Sequence, residues 1–132
     1  MPKAIKINHV TVLVSDKNKA KEFYCETLGL EKQEVGNSLW IRIGNQFIHV
    51  TENSGSNVPN TFYHFAIEVE NVKDYVNELK NKGVWVFSFD ENKNEIEIEN
   101  KSEKQQYFLR DLDGNLIELV DTENKFFNPS VK

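Results

Sequence analysis

Phe62-Tyr63-His64-Phe65-Ala66-Ile67-Glu68-Val69 decides how the rest of the chain reads. β-Branched and aromatic residues alternate at a period of two, the signature of a strand. Phe65, Ile67 and Val69 make one face, and His64, Ala66 and Glu68 make the other. The same layout stands earlier, in Ile7-Asn8-His9-Val10-Thr11-Val12-Leu13-Val14, where His9 lies opposite Val10, Val12 and Val14. A half-length repeat with a histidine at the same place in each half is the first sign of a metal site between two halves.

Working outward, the first strand is expected over Ile5 to Val14 and its counterpart over Phe62 to Val69, and each leads into a helix. After the first, Ser15 or Asp16 is a candidate cap, and Ala20, Phe23, Tyr24 and Leu28 form an apolar stripe that stops at Gly29. Strands are expected over 31–35, 38–43 and 46–52, with Gly44-Asn45 as a tight hairpin turn. After the second, Asn71 is the cap, Val72, Tyr75, Val76 and Leu79 the stripe, and Gly83 the stop. Strands follow over 84–89, 106–110 and 115–121, with Asp113-Gly114 as a turn. The expected organisation is one domain of two strand-helix-strand-strand-strand modules, residues 5–52 and 61–121. A polar, turn-rich linker over 53–60 joins them, and a tail covers 122–132.

The last strands of the modules also correspond. Gln46-Phe47-Ile48-His49-Val50-Thr51-Glu52 lies over Asn115-Leu116-Ile117-Glu118-Leu119-Val120-Asp121. In each, aliphatic residues flank a potential metal ligand, His49 in one and Glu118 in the other. The second module is fourteen residues longer, and the excess falls in Asp90 to Gln105. Within it Glu95-Ile96-Glu97-Ile98-Glu99 alternates as an exposed strand would, its charges forming a solvated face.

Composition bounds the functions open to the chain. Its 132 residues are 39% hydrophobic and 11% aromatic, enough for a buried core and too apolar for a disordered chain. A net charge of −5 argues against nucleic acid, which requires a basic face. No apolar run approaches the roughly 18 residues of a membrane span, and the stretch after Met1 has no signal-peptide core. The single cysteine, Cys25, precludes an internal disulfide and fits a reducing cytoplasm. It lies near the first helical stripe and reads as a packing residue. Phe126-Phe127 in the tail reads as a docking element or as fortuitous exposure.

His9, His49, His64 and Glu118 each lie opposite the more aliphatic face of their strand. If those aliphatic faces pack on the helices, the four side chains share the other face, and curving it into a trough brings them together. A lone strand histidine is ordinarily a half-buried polar residue with a simple hydrogen bond. The repeat, however, places all three histidines of the chain at related positions. Glu118, among Leu116, Ile117, Leu119 and Val120, would be costly to bury without a partner, which a cation supplies. Imidazole and carboxylate suit Zn, Ni, Fe, Mn or Co, and four such ligands leave an octahedral ion two open positions. Trp40 and Phe47 line a substrate pocket or fill core space.

With these pieces in place, the chain resembles the vicinal-oxygen-chelate superfamily of glyoxalases, bleomycin-resistance proteins and extradiol dioxygenases. The matching stretches are Ile7-Asn8-His9-Val10, Phe23-Tyr24 with Leu28-Gly29-Leu30, Tyr63-His64-Phe65-Ala66, and Asp111 to Leu119, in which Leu112 replaces the usual proline. The resemblance implies an α+β fold of two βαβββ modules, with curled mixed sheets cupped around one divalent metal ion. It implies His9, His64 and Glu118 as ligands, with His49 where bacterial glyoxalase I enzymes carry a glutamate. It implies a metal-dependent lyase or isomerase of glyoxalase I type, acting through an enediolate on a small substrate with vicinal oxygens. Glu118 would be ligand and general base, and His49 the second acid-base group. Asn53 matches a glutathione-contacting asparagine, whereas Leu13 replaces the glutathione-binding arginine. The alternatives are an Fe(II)-dependent dioxygenase using His9, His64 and Glu118, and a ligand-sequestering protein without catalysis. Small relatives of this kind exchange modules between two subunits, so a homodimer is the expected assembly.

Overall fold

Alternation along the strands becomes one-sided burial in the computed structural model, which describes residues 1–54, 61–98 and 105–130. The elements are β1 (His9–Val14), α1 (Lys17–Glu22), β2 (Glu31–Val35), β3 (Ser38–Ile43), β4 (Gln46–Glu52), β5 (His64–Val69), α2 (Val72–Asn81), β6 (Phe87–Phe89), β7 (Glu95–Glu97), β8 (Tyr107–Arg110) and β9 (Leu116–Asp121). The expected linker falls largely on 55–60, outside the described residues, as does part of the 90–105 excess. Two units are distinguished, Met1–Pro59 with Leu112–Asn115, and Asn60–Asp111 with Leu116–Lys132.

The first unit holds a four-stranded sheet in the order β1-β4-β3-β2. β1 and β4 run parallel, and the other neighbours are antiparallel. Val12, Val14, Leu39, Ile41, Ile48 and Val50 are buried on one face, with Ala20, Phe23, Tyr24 and Leu28 of the helical segment also in the core. Asp16 caps α1 by accepting a hydrogen bond from the Lys19 amide. The segment then widens into a π turn over Phe23–Thr27, closed by Leu28 N donating to Phe23 O at 2.9 Å. In a pure α-helix Leu28 would sit about 80° around the axis from Ala20. The extra residue of the π turn brings it back into line, which is why an apolar stripe with an eight-residue step still packs.

The second unit holds a five-stranded sheet in the order β5-β9-β8-β6-β7. Ile67, Val69, Ile117 and Leu119 are buried on the face that α2 covers with Val72, Val76 and Leu79. Asn71 caps α2 through the Asp74 amide. The opposite face is aromatic, with Phe87, Phe108 and Leu116 forming a buried cluster against Phe89. Glu95–Glu97, read as an exposed strand, pairs with β6 at the sheet edge. Together the two mixed sheets give the α+β fold expected from sequence.

Strands β1, β5 and β6 begin two to four residues later than expected, for one physical reason. β1 begins at His9, not Ile5, because its parallel partner β4 begins only after the Gly44-Asn45 turn. β5 begins at His64, not Phe62, because β9 begins only after Gly114, whose φ of 93° suits glycine alone. Val84 to Val86 precede β6 and have no ladder partner among the described residues. In the tail, Phe126 and Phe127 are 85% and 58% exposed, while Asn128 Nδ2 ties the chain to Glu68 Oε1 and Thr122 O. Among the described residues no helix is long and apolar enough to cross a membrane.

Candidate functional site

Parallel pairing of β5 with β9 sets the second unit's polar pair. Ala66 lies opposite Glu118, so His64 and Glu118 fall on the same face, diagonal across two strands. His64 Nε2 stands 3.1 Å from Glu118 Oε1, and their side chains keep 21% and 16% exposure. On the other side of the ring, Nδ1 lies 2.8 Å from the Phe62 carbonyl oxygen. A carbonyl only accepts, so Nδ1 carries a proton, and a ring with no second proton presents a lone pair at Nε2. That lone pair meets a carboxylate oxygen, and two electron-rich atoms at this distance require a positive partner. A second proton on the ring supplies one, and a cation touching both atoms supplies another. Two ligand atoms held at about 2.0–2.2 Å from one divalent ion stand about 3 Å apart, so the observed spacing fits a ligand pair. Edge-on contacts hold the imidazole in place, with Phe62 at 5.0 Å and Phe108 at 5.2 Å between ring centroids.

The first unit repeats the arrangement with different supports. His9 and Phe47 are register partners, and His49 is two residues further along β4, so both histidines share the face away from α1. His9 Nδ1 lies 2.8 Å from Asn8 Oδ1, which again leaves Nε2 as the free lone pair. Trp40 touches both rings. Its indole stacks on the His49 ring at 4.1 Å and meets His9 edge-on at 5.0 Å. The two imidazole centroids are 6.3 Å apart. Phe47 meets Trp40 edge-on at 6.0 Å and lies under the Arg42 guanidinium.

The four candidates therefore occupy the non-helical face of their own sheets, two in each unit. Among the described residues no group of three or more His, Cys, Asp or Glu side chains is gathered to hold a metal. An imidazole nitrogen turned outward by an oxygen acceptor behind the ring is the usual presentation of a metal-ligating histidine, and His9 and His64 both have such an acceptor. Trp40 and Phe47, expected as pocket lining or core, build an aromatic support for His49 and His9. Asn53 follows β4, its amide donating to Val14 O at 2.9 Å. Cys25 is half-buried in the π turn, and burial raises its thiol pKa. Sequence reading missed the two acceptors behind the histidines. Asn8 was visible beside His9, but the Phe62 carbonyl carries no side-chain signal.

The sequence profile of the Glyoxalase/Bleomycin resistance protein/Dioxygenase superfamily matches residues 6–119. Mouse mitochondrial methylmalonyl-CoA epimerase is 33% identical over 96 residues, covering 60% of this chain and 54% of that protein. The chain thus spans about half the length of the curated relatives it matches. A glyoxalase-family structure from Bacillus anthracis is similar with a TM-score of 0.72 at 24% identity, over 92% of this chain and 98% of that one. The fosfomycin resistance protein FosX from Listeria monocytogenes gives 0.70 at 20% identity, over 93% and 98%. Likeness at these identities establishes the fold.

Proposed function

The chain belongs to the Glyoxalase/Bleomycin resistance protein/Dioxygenase superfamily, and from that premise we propose that it is a metal-dependent isomerase or lyase. Its reaction moves a proton at a carbon next to a carbonyl, on a small substrate with two neighbouring oxygens. The observation that carries this reading is the oriented pair, with His64 Nδ1 donating to Phe62 O and Nε2 facing Glu118 Oε1 at 3.1 Å. The likeness to an epimerase acting on an acyl thioester supports the same class of proton transfer.

In this reading the candidate ligands for a divalent ion, chosen from Zn, Ni, Fe, Mn and Co, are His64 and Glu118 in one sheet and His9 and His49 in the other. When bound, that ion supplies a Lewis acid that draws charge from the substrate carbonyl. The rest of the work falls to the chain. Glu118 takes the proton from carbon, its carboxylate positioned by His64 and backed by the buried Phe108 ring. His49 serves as the second acid-base group. Trp40 covers one face of its ring.

Elemental analysis of protein purified without chelator should find about one divalent ion per chain. In D2O, NMR should then show deuterium entering the α-carbon of a methylmalonyl thioester or of a 2-oxoaldehyde hemithioacetal. Stoichiometric metal with oxygen uptake on a catechol, and no exchange, would replace this reading with the dioxygenase. Metal-free protein with no exchange would replace it with ligand sequestration.

A further inference from the structure

A cavity of about 330 Å³ lies wholly in the second unit, on the same sheet face as Glu118. Phe62, Phe89, Lys93, Asn94, Glu95 and Arg110 line it. Phe62 is shared with the site above, since its ring meets both His64 and Phe89 at 5.0 Å. The geometry points to a subsite for a small anionic group of the substrate, built by the β6–β7 hairpin and centred on Lys93.

Three observations converge on Lys93. Its ammonium sits 4.8 Å from the centre of the Phe62 ring, so a cation stands at the wall the cavity shares with His64. The lining holds two cations against one carboxylate, and Glu95 is engaged by Arg110 Nε at 2.9 Å. The neighbouring Asp90 carboxylate is turned into the hairpin, where it accepts from the Asn92 and Asn94 amides and from Asn94 Nδ2. Asp90 lies close enough to feel the Lys93 charge but is not part of the lining, whose described residues hold one more cation than carboxylates beside flat apolar walls, which suits an anion on a short carbon arm.

The backbone at Lys93 makes the same point. Its φ of 64° is a left-handed conformation that glycine or asparagine adopts at lower cost. A turn needed only to join β6 to β7 would be served better by either. A lysine held there against its own preference, with the Asp90 bonds fixing the turn, suggests that the charge is what the position requires. The hairpin belongs to the stretch by which the second half of the chain exceeds the first, so only one half carries it. At about the lower end of small-molecule pocket sizes, the cavity suits a carboxylate or phosphate arm and not a bulky carrier.

That the anion belongs to the substrate rests on the proton-transfer reading, but anion binding is measurable without it. The probes are malonate, inorganic phosphate and neutral dimethyl malonate, titrated into metal-free protein and followed by amide NMR shifts. The variants are Lys93→Asn and Lys93→Gly, which accept the same backbone angle and retain the turn. Wild-type protein should bind malonate or phosphate with shifts at Phe62, Asn94 and Arg110. It should discriminate against the diester, and both variants should weaken the anion about tenfold or more. The better of the two anions identifies the arm as carboxylate or phosphoryl. Equal binding of malonate and diester, unchanged binding in both variants, or no binding of either anion overturns the subsite. Anion binding with no deuterium exchange would retain it and overturn the proton-transfer reading instead.

Discussion

Trp40 and His49 are direct cross-strand partners in β3 and β4, and their rings lie 4.1 Å apart and within 6° of parallel. The stack makes Trp40 a reporter for whatever binds His49. The chain has two tryptophans, and Trp85→Phe removes the other. In that background, Ni(II) or Co(II) should quench Trp40 emission saturably, and His49→Ala should abolish the response. Trp40→Leu should weaken metal binding about tenfold, as loss of a residue that holds a ligand does. Emission indifferent to metal would remove His49 from the ligand set.

His64→Ala should lower divalent-metal affinity by about tenfold or more, measured by competition with a chromophoric chelator. Asn8→Ala should act in the same direction more weakly, through the orientation of His9. Cys25→Ala should leave metal content unchanged, since the thiol sits in the π turn. Equal retention of Zn or Ni by His64→Ala and wild type would refute the site.

The β6–β7 hairpin should loosen in acid. Hydrogen bonds from Asn94 hold the Asp90 carboxyl below its ordinary pKa of 3.8, with the Asn92 amide and Lys93 charge adding to them. A carboxyl with a lowered folded pKa contributes stability above its unfolded value and loses it as pH falls through the folded one. Amide shifts of Asn92 and Asn94 should therefore be flat near neutrality and titrate with a midpoint below 3.8. Asp90→Asn should give the loosened shifts at neutral pH. A midpoint above that value would show that these bonds do not favour the ionised form.

The hemithioacetal of methylglyoxal and glutathione should be a poor substrate. Leu13 stands on the His9 face of β1, 44% exposed, where the resemblance expects an arginine for glutathione. Without that charge-assisted contact, roughly 1.5–3 kcal/mol of binding is missing. A kcat/KM of about 10⁴ M⁻¹s⁻¹ or more would show that another residue supplies it.

Faces and strand types were legible in the sequence because burial on one side writes a period of two. Val12, Val14, Ile48, Val50, Ile67 and Ile117 all lie in the core that alternation assigned to them. Strand beginnings were not legible, since Ile5 and Phe62 look like strand residues until the start of the parallel partner is known. Nor was the π turn, whose sole trace is the eight-residue step from Ala20 to Leu28. At the site, the four candidate side chains and their faces were legible. Their orientation was not, because it depends on a carbonyl oxygen at Phe62 and on Asn8, whose role appears only once the rings are placed. Lys93 was hidden for a related reason, as a lysine in a charged hairpin resembles any solvated residue until its backbone angle is known.

The first unit is not finished by the first part of the chain. Ser15 N donates to Asp113 Oδ1 and Asn115 Nδ2 donates to Leu13 O, across 98 and 102 residues of sequence. A ribosome adding about 5–20 residues per second reaches Asn115 roughly 3–11 s after it has passed Pro59. During that interval the end of β1 waits with a donor and an acceptor unfilled, although every strand of its sheet has already been made. The half translated first is thus closed only when the second half lacks little more than its last strand. A nascent chain stalled between Asn60 and Asp111 would hold an open first sheet for as long as the stall persists.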